Sequence, residues 1–271
     1  MGFYQQLFRL DGKVAIVTGA AGILGSEFCK ALCNSGAVVI GIDIQEKPLN
    51  ELVNELSNHY GDHRIYGFVC DITQQGKIKK TIYEIIKQFS KVDILLNNAV
   101  ARPADFNSAC FLEYSLTTWR EVMSVNIDGM FMMAQAVGKH MLDNRQGVIL
   151  QTSSIYSLLA PDHRIYSGGE YAGKAMGTPA VYTTSKAGVI GLTKHLATLW
   201  AEHGIRVNAL CPGGVASGQN KKFNEKYSSR VPMGRMAKKT EIAGPMLFLV
   251  SDAASYITGQ VFYVDGGLST W

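Results

Sequence analysis

The sequence predicts an α/β fold: a doubly wound parallel sheet of seven strands with helices on both faces. Three observations carry that prediction. Short β-branched runs alternate with longer amphipathic patterns, and the runs are apolar throughout, as strands buried on both faces require. A glycine-rich turn, Thr18-Gly19-Ala20-Ala21-Gly22-Ile23-Leu24-Gly25, joins the first run to the first amphipathic pattern. The 271 residues are 47% hydrophobic, enough for one large core, and no linker or repeat divides them, so a single domain over 1–271 is expected.

Strands are expected at Val14–Thr18, Val38–Asp43, Arg64–Val69, Ile94–Asn97, Val148–Thr152, Arg206–Leu210 and Val261–Val264. Helices are expected between them, near Ile23–Asn34, Leu49–Asn58, Thr73–Phe89, Thr118–Met141, Val181–His203 and Thr240–Val250. Two stretches, about 156–180 and 216–237, break the alternation and read as irregular insertions of the kind that cover or bind a substrate.

Composition excludes several classes. A net charge of +4 with no basic block argues against a nucleic-acid partner. No apolar run approaches the roughly 18 residues of a membrane span. The start has no signal-peptide core, and Gln6 stands where a myristoylated chain has Ser or Thr. Five cysteines without a C-x-x-C pattern read as buried thiols in a reducing compartment, with no metal site. A soluble cytoplasmic protein is expected.

Two features carry chemistry. In the glycine-rich turn the backbone can approach a pyrophosphate seated at a helix N-terminus. Asp43 closes the second strand at the distance from Gly25 where a ribose-binding acid belongs. A carboxylate accepts from both ribose hydroxyls and repels a 2′-phosphate, and no Lys or Arg lies in Gly19–Gly25 or directly after Asp43, so NAD is preferred over NADP. Asp71, after the third strand, could reach the adenine or cap a helix. The second feature is Tyr182 with Lys186, one helical turn apart on one face. An ammonium beside a phenol favours the phenolate, which turns a weak acid into a usable proton donor and acceptor. Ser153 and Ser154 end the fifth apolar run.

These residues, with Asp11-Gly12-Lys13, Asn97-Asn98-Ala99, Asn126, Asn208, Pro212-Gly213, Thr258-Gly259-Gln260 and Val264-Asp265-Gly266-Gly267, make the chain resemble the short-chain dehydrogenase/reductase family over almost its whole length. The resemblance implies a Rossmann fold and reversible hydride transfer between a nicotinamide and a carbonyl/hydroxyl pair. It implies Tyr182 as general acid/base, Lys186 as the group that makes the phenol a better acid and holds the nicotinamide ribose, Ser154 on the substrate oxygen, and Asn126 supporting a water that leads from Lys186 to solvent; Ser153 reads as structural. The cofactor wall it implies comprises Gly19, Ala21, Gly22, Ile23, Leu24, Gly25, Asp43, Asp71, Ile72, Asn98, Ala99, Pro212, Gly213, Val215 and Ser217, besides Tyr182 and Lys186.

Three departures stand out. The middle glycine of the turn falls one position early, at Gly22, with Ile23 in its usual place. Val100 replaces the glycine that usually follows Asn-Asn-Ala. Ser154 and Tyr182 are separated by an extra loop, Leu158–Lys174, rich in hydrogen-bonding side chains. Arg164, supported by His163 and Tyr166, is expected to meet the substrate there. The polar loop points to a sugar or sugar-acid substrate, as in gluconate dehydrogenases. Alternatives are a 3-oxoacyl-thioester reductase and a non-catalytic nucleotide-binding regulator. Resemblance further implies a homotetramer or homodimer formed through the two long helices, Thr118–Met141 and Val181–His203.

Overall fold

The computed structural model describes residues 2–107, 111–171 and 173–271. After a short helix α1 (Phe3–Gln6), strands β1 (Val14–Thr18), β2 (Val38–Asp43), β3 (Ile65–Val69), β4 (Ile94–Asn97), β5 (Gly147–Thr152), β8 (Ile205–Pro212) and β9 (Val261–Val264) form one seven-stranded sheet. Its order is β3-β2-β1-β4-β5-β8-β9, and every pairing is parallel. The helices between strands are α2 (Ile23–Asn34), α3 (Glu46–Tyr60), α4 (Gln75–Phe89), α5 (Leu116–Met123), α6 (Met130–Asn144), α7 (Ala180–Trp200), α8 (Lys221–Ser228) and α9 (Lys239–Val250).

The pleat sends alternate strand residues into two cores. Ala15, Val17, Val39, Leu96 and Leu150 meet Phe28, Leu32, Leu49 and Met246 of α2, α3 and α9. Ile16, Ile40, Leu95, Ile149 and Val207 meet Ile82, Met133, Val137 and Trp200 of α4, α6 and α7. Each such fully buried side chain contributes roughly 1.5–3 kcal/mol of transfer free energy. Among the described residues no helix is long and apolar enough to cross a membrane. Cys29, Cys33, Cys70 and Cys211 are free and buried; Cys110 lies outside the described residues.

The strand order reverses between β1 and β4, which opens a crevice at their carboxyl ends. The two loops there touch. Gly19 has φ +62°, and a Cβ on it would stand 2.7 Å from Ala99 Cα. Thr18 Oγ1 accepts from the Asn98 and Ala99 amides at 3.0 and 3.2 Å, and Asn98 Nδ2 donates back to the Thr18 and Gly19 carbonyls. Thus the glycine-rich turn and the Asn-Asn-Ala segment form one rigid edge.

Two sequence expectations change. The helix expected at Thr118–Met141 is broken by a π-helical turn, Ser124–Gly129, between α5 and α6. Its Asn126 donates to Ser185 Oγ and accepts from the Ala101 amide, both at 3.0 Å, so tertiary bonds reshape the local winding. The 216–237 stretch is not irregular throughout: Asn220 caps α8 by accepting from the Phe223 amide. The 156–180 stretch holds a small hairpin of β6 (Glu170–Tyr171) and β7 (Lys174–Ala175).

Backbone contact at the turn should be intolerant of even one methyl group. A Cβ at Gly25 would lie 2.0 Å from the Gly19 carbonyl oxygen and 2.9 Å from Ala20 Cα, whereas none meets an atom within 4 Å at Gly76 in the first turn of α4. Gly25→Ala is expected to lose about 1–3 kcal/mol in urea denaturation. Gly76→Ala should be neutral or gain up to about 1 kcal/mol.

Candidate active site

At the crevice, α2 begins with Gly22 at its N-cap, φ −74° and ψ 173°, and no side chain accepts from the first-turn amides. Those orphan donors and the helix dipole suit a pyrophosphate. Gly22 adopts an ordinary extended conformation, so its early position leaves the turn intact. Asp43, buried at the end of β2, accepts from the Ala21 amide through Oδ2 and from the Gln45 amide through Oδ1, both at 3.0 Å. Each oxygen retains a lone pair for a ribose hydroxyl. These residues fit a dinucleotide cofactor.

The remaining cofactor-side positions line the same end of the sheet. Asp71 caps its own turn, accepting from the Thr73 amide at 2.9 Å and from Gln74 Nε2 at 2.7 Å. Ile72 is buried, and a Cβ on Gly129 would meet its Cδ1 at 2.8 Å. Val100 is 40% exposed. Pro212 ends β8, and the Gly213 amide donates to the Val264 carbonyl at 2.9 Å. Val215 bridges to Ala237, and the Ser217 amide donates to Gln219 Oε1.

On α7, Lys186 Nζ lies 5.8 Å from the centre of the Tyr182 ring and donates to the Thr152 carbonyl at 2.9 Å. The lysine is buried and, among the described residues, has no carboxylate partner. Burial pushes its pKa down to about 8; the Cys211 thiol opposes this and the Arg102 charge adds to it. Ser153 Oγ donates to the Lys186 carbonyl at 2.7 Å, which is the structural role expected of it. Ser154, also buried, caps the turn Ile155–Ser157 by accepting from the Tyr156 amide, and that turn packs on α7. Tyr182 packs edge-on against Phe106, ring centres 6.1 Å apart. Asn126 reaches Tyr182 only through Ser185, whose hydroxyl donates to the Tyr182 carbonyl at 2.9 Å.

Similarity to known proteins extends over nearly the whole chain. The family model described as enoyl-(acyl carrier protein) reductase matches residues 19–269. The chain belongs to the short-chain dehydrogenase/reductase family. The chain is 37% identical over 275 residues to the galactitol 2-dehydrogenase (L-tagatose-forming) of Cereibacter sphaeroides, covering 99% of each. It is 35% identical over 267 residues to the 3-oxoacyl-acyl-carrier-protein reductase of Thermotoga maritima, covering 96% of this chain and 99% of the other. Among solved structures, a gluconate 5-dehydrogenase from Burkholderia cenocepacia in complex with NADP and tartrate superposes with a TM-score of 0.85 at 29% identity, covering 98% of each. A short-chain dehydrogenase from Leptospira borgpetersenii with bound NAD+ also gives 0.85, at 31% identity, covering 99% of this chain and 96% of the other. The protein is therefore a short-chain dehydrogenase that acts on a CH–OH group with NAD or NADP.

In this dehydrogenase the insertion before Tyr182 behaves differently from its sequence reading. Arg164, expected to meet substrate, is held by Asp162 at 2.8 and 2.9 Å and leaves 88% of its side chain exposed. A carboxylate two residues away, itself also paired with Arg230, captures the guanidinium first. His163 is exposed beside Tyr166. Tyr166 is turned inward instead: its hydroxyl bonds Tyr156 OH at 2.8 Å and Thr178 Oγ1 at 2.6 Å, and its ring stacks on Phe223 of α8. The two insertions thus form a shared apolar cluster with Ile155, Ile165, Tyr227 and Leu268. Sequence reasoning missed Tyr156, Phe106 and Arg102; the last two follow Asn97-Asn98-Ala99 in a loop at the carboxyl end of β4, and that placement was the available signal.

Lys186 should give the cofactor-free enzyme a measurable pH signature. Its folded pKa of about 8 lies below the ordinary lysine value of 10.5, so the unfolded chain binds the extra proton between those values. Stability should therefore rise with pH from about 8 to about 10.5. Lys186→Met should abolish that rise and stabilise the cofactor-free protein at neutral pH, by on the order of 3 kcal/mol at most. Urea denaturation at stepped pH reads both effects.

Proposed function

We propose that this dehydrogenase interconverts a secondary alcohol and a ketone on a sugar, sugar acid or related polyhydroxylated substrate, with NAD as its cofactor. The observation that carries this reading is the hydroxyl-lined wall beside Tyr182, in which Tyr156, Tyr166 and Thr178 form one hydrogen-bonded chain. Burial pushes the pKa of both phenols up, so they meet substrate hydroxyls as neutral groups. A steroid or long acyl chain calls for a more apolar lining. The gluconate 5-dehydrogenase relative, solved with tartrate, a hydroxylated dicarboxylate, supports the same class.

In this reading the glycine-rich turn and Asp43 would hold a dinucleotide cofactor, which would supply or accept the hydride. Tyr182 donates its phenolic proton to the carbonyl oxygen in reduction and recovers it in oxidation. Lys186 Nζ lies 5.8 Å from the centre of that ring, and its hydrogen bond to the Thr152 carbonyl keeps it in place. Ser154 Oγ holds the substrate oxygen, and Asn126 positions Tyr182 through Ser185. Asp43 supports NAD, because its carboxylate would stand against a 2′-phosphate. The enzyme would assemble as a homotetramer or homodimer through α6 and α7, where Phe131 and Leu199 are exposed. A second reading, a 3-oxoacyl-thioester reductase, is favoured by the Thermotoga maritima relative.

A panel of D-gluconate, galactitol, glycerol and an acetoacetyl thioester, assayed with both cofactors, tests the function. The highest kcat/KM is expected for a hydroxylated substrate with the NAD couple; a clear preference for the thioester would replace this reading with the second. On the preferred substrate, Tyr182→Phe should lower kcat by roughly 10²-fold or more while NADH still binds. Asp43→Ser should shift preference towards NADP, and tighter wild-type binding of NADPH than NADH would contradict the role given to Asp43.

A further inference from the structure

The strand order gives the crevice two unlike sides. Asp43 and the glycine-rich turn end β2 and β1, whereas Ser154 and the segment Gly213–Ser217 follow β5 and β8, across the reversal between β1 and β4. A dinucleotide with its pyrophosphate on the β1 turn and a ribose at Asp43 would bring its other half to the β5–β8 side, where α7 carries Tyr182. The wall there is fixed largely by main-chain bonds. The Gly213 amide donates to the Val264 carbonyl, the Ala237 amide to the Gly214 carbonyl and the Ala216 amide to the Ala237 carbonyl, each at 2.9 Å. The Gly214 amide is held differently: it donates to the hydroxyl of Tyr227, on α8, at 2.5 Å. That phenol is firmly seated. Tyr227 is 5% exposed, packs in one cluster with Ile155, Ile165 and Leu268, and has its ring centre 5.8 Å from that of Phe223. A Cβ on Gly214 would stand 2.5 Å from the ring at Cε1, so glycine is what lets the tyrosine approach. Burial pushes the phenol's pKa up to about 12, so the hydroxyl stays neutral and keeps its oxygen on the amide across the working pH range.

Tyr227 thereby joins two parts of the site. Its ring belongs to the cluster that seats the two insertions on each other, and its oxygen holds the backbone that continues β8. We propose that Tyr227 is a positioning residue, a latch between α8 and the Gly213–Ser217 segment that keeps this segment in register for the nicotinamide. The inference rests on the dinucleotide reading of the site and goes beyond it, because Tyr227 acts on the cofactor only through the Gly214 amide. Without the phenolic oxygen that amide turns to water, the segment takes up other positions, and only the fraction still in register receives the nicotinamide. The sites for the pyrophosphate and the adenosine half, on the β1 side, are unaffected.

The test is calorimetric titration of NADH and of ADP-ribose, which lacks the nicotinamide ring, into wild type, Tyr227→Phe and Gly214→Ala. Tyr227→Phe keeps the ring and its packing and removes only the acceptor; Gly214→Ala keeps the acceptor and forces the ring away. Each variant should bind NADH about 3- to 10-fold more weakly than wild type, while ADP-ribose binding stays within about twofold. Retained ADP-ribose binding also verifies that the variants are folded. Unchanged NADH affinity in Tyr227→Phe would overturn the latch. An equal loss for NADH and ADP-ribose would overturn it too, since that is the result expected of a merely structural tyrosine. Wild type that binds neither ligand would bring down the dinucleotide reading and this inference together.

Discussion

A reciprocal pair of buried hydrogen bonds joins the end of β5 to α7, and the active site depends on it. Lys186 Nζ donates to the Thr152 carbonyl, while Ser153 Oγ donates back to the Lys186 carbonyl. Both bonds are buried, where an unmade one would cost the full desolvation of its group. The clasp sets Ser154, two residues beyond the end of β5, at the start of the turn Ile155–Ser157 that packs on α7. It also holds an ammonium in a place that burial makes unfavourable for charge. The proton chemistry of the site follows from that placement.

A second constraint is the contact between the two loops that flank the crevice. Gly19 and Gly25 are required by close backbone approach: one faces Ala99, and the other meets the Gly19 carbonyl. Gly22 is less constrained: its backbone is extended and a Cβ there would lie 3.2 Å from the Gly19 carbonyl oxygen, so moving the middle glycine by one position leaves the turn in shape. Asp43 then holds the turn through the Ala21 amide, so the acid proposed for the ribose also braces the glycine-rich loop.

The substrate side is built from the two insertions together. Neither contains enough apolar residues to fold alone, but Tyr166 stacked on Phe223 and the cluster around Ile155 and Tyr227 bury one against the other. That packing turns the Tyr166 hydroxyl inward to Tyr156 and Thr178. The loop Ala101–Phe106 completes the wall from the β4 side. Hydroxyl groups make this end polar, although much of what supports it is apolar.

The sequence by itself determined the sheet, its order of alternation with helices, the glycine-rich turn, Asp43, and the pairing of Tyr182 with Lys186. All of these are local in origin: strand and helix periods, a strand-to-helix turn, and a one-turn spacing on a helix. What only the tertiary structure decided involves competition between partners far apart in sequence. Asn126 bends its helix into a π-turn because Ala101 and Ser185 claim its amide. Arg164 is lost to the site because Asp162 and the surface claim its guanidinium, whereas Tyr166, on the same loop, is turned inward by Phe223. Lys186 is left without an acid among the described residues because folding buries it between the Thr152 carbonyl and Ser153. Spacing along the chain reports which residues share a face, but which charges remain unpaired depends on every neighbour that folding brings in.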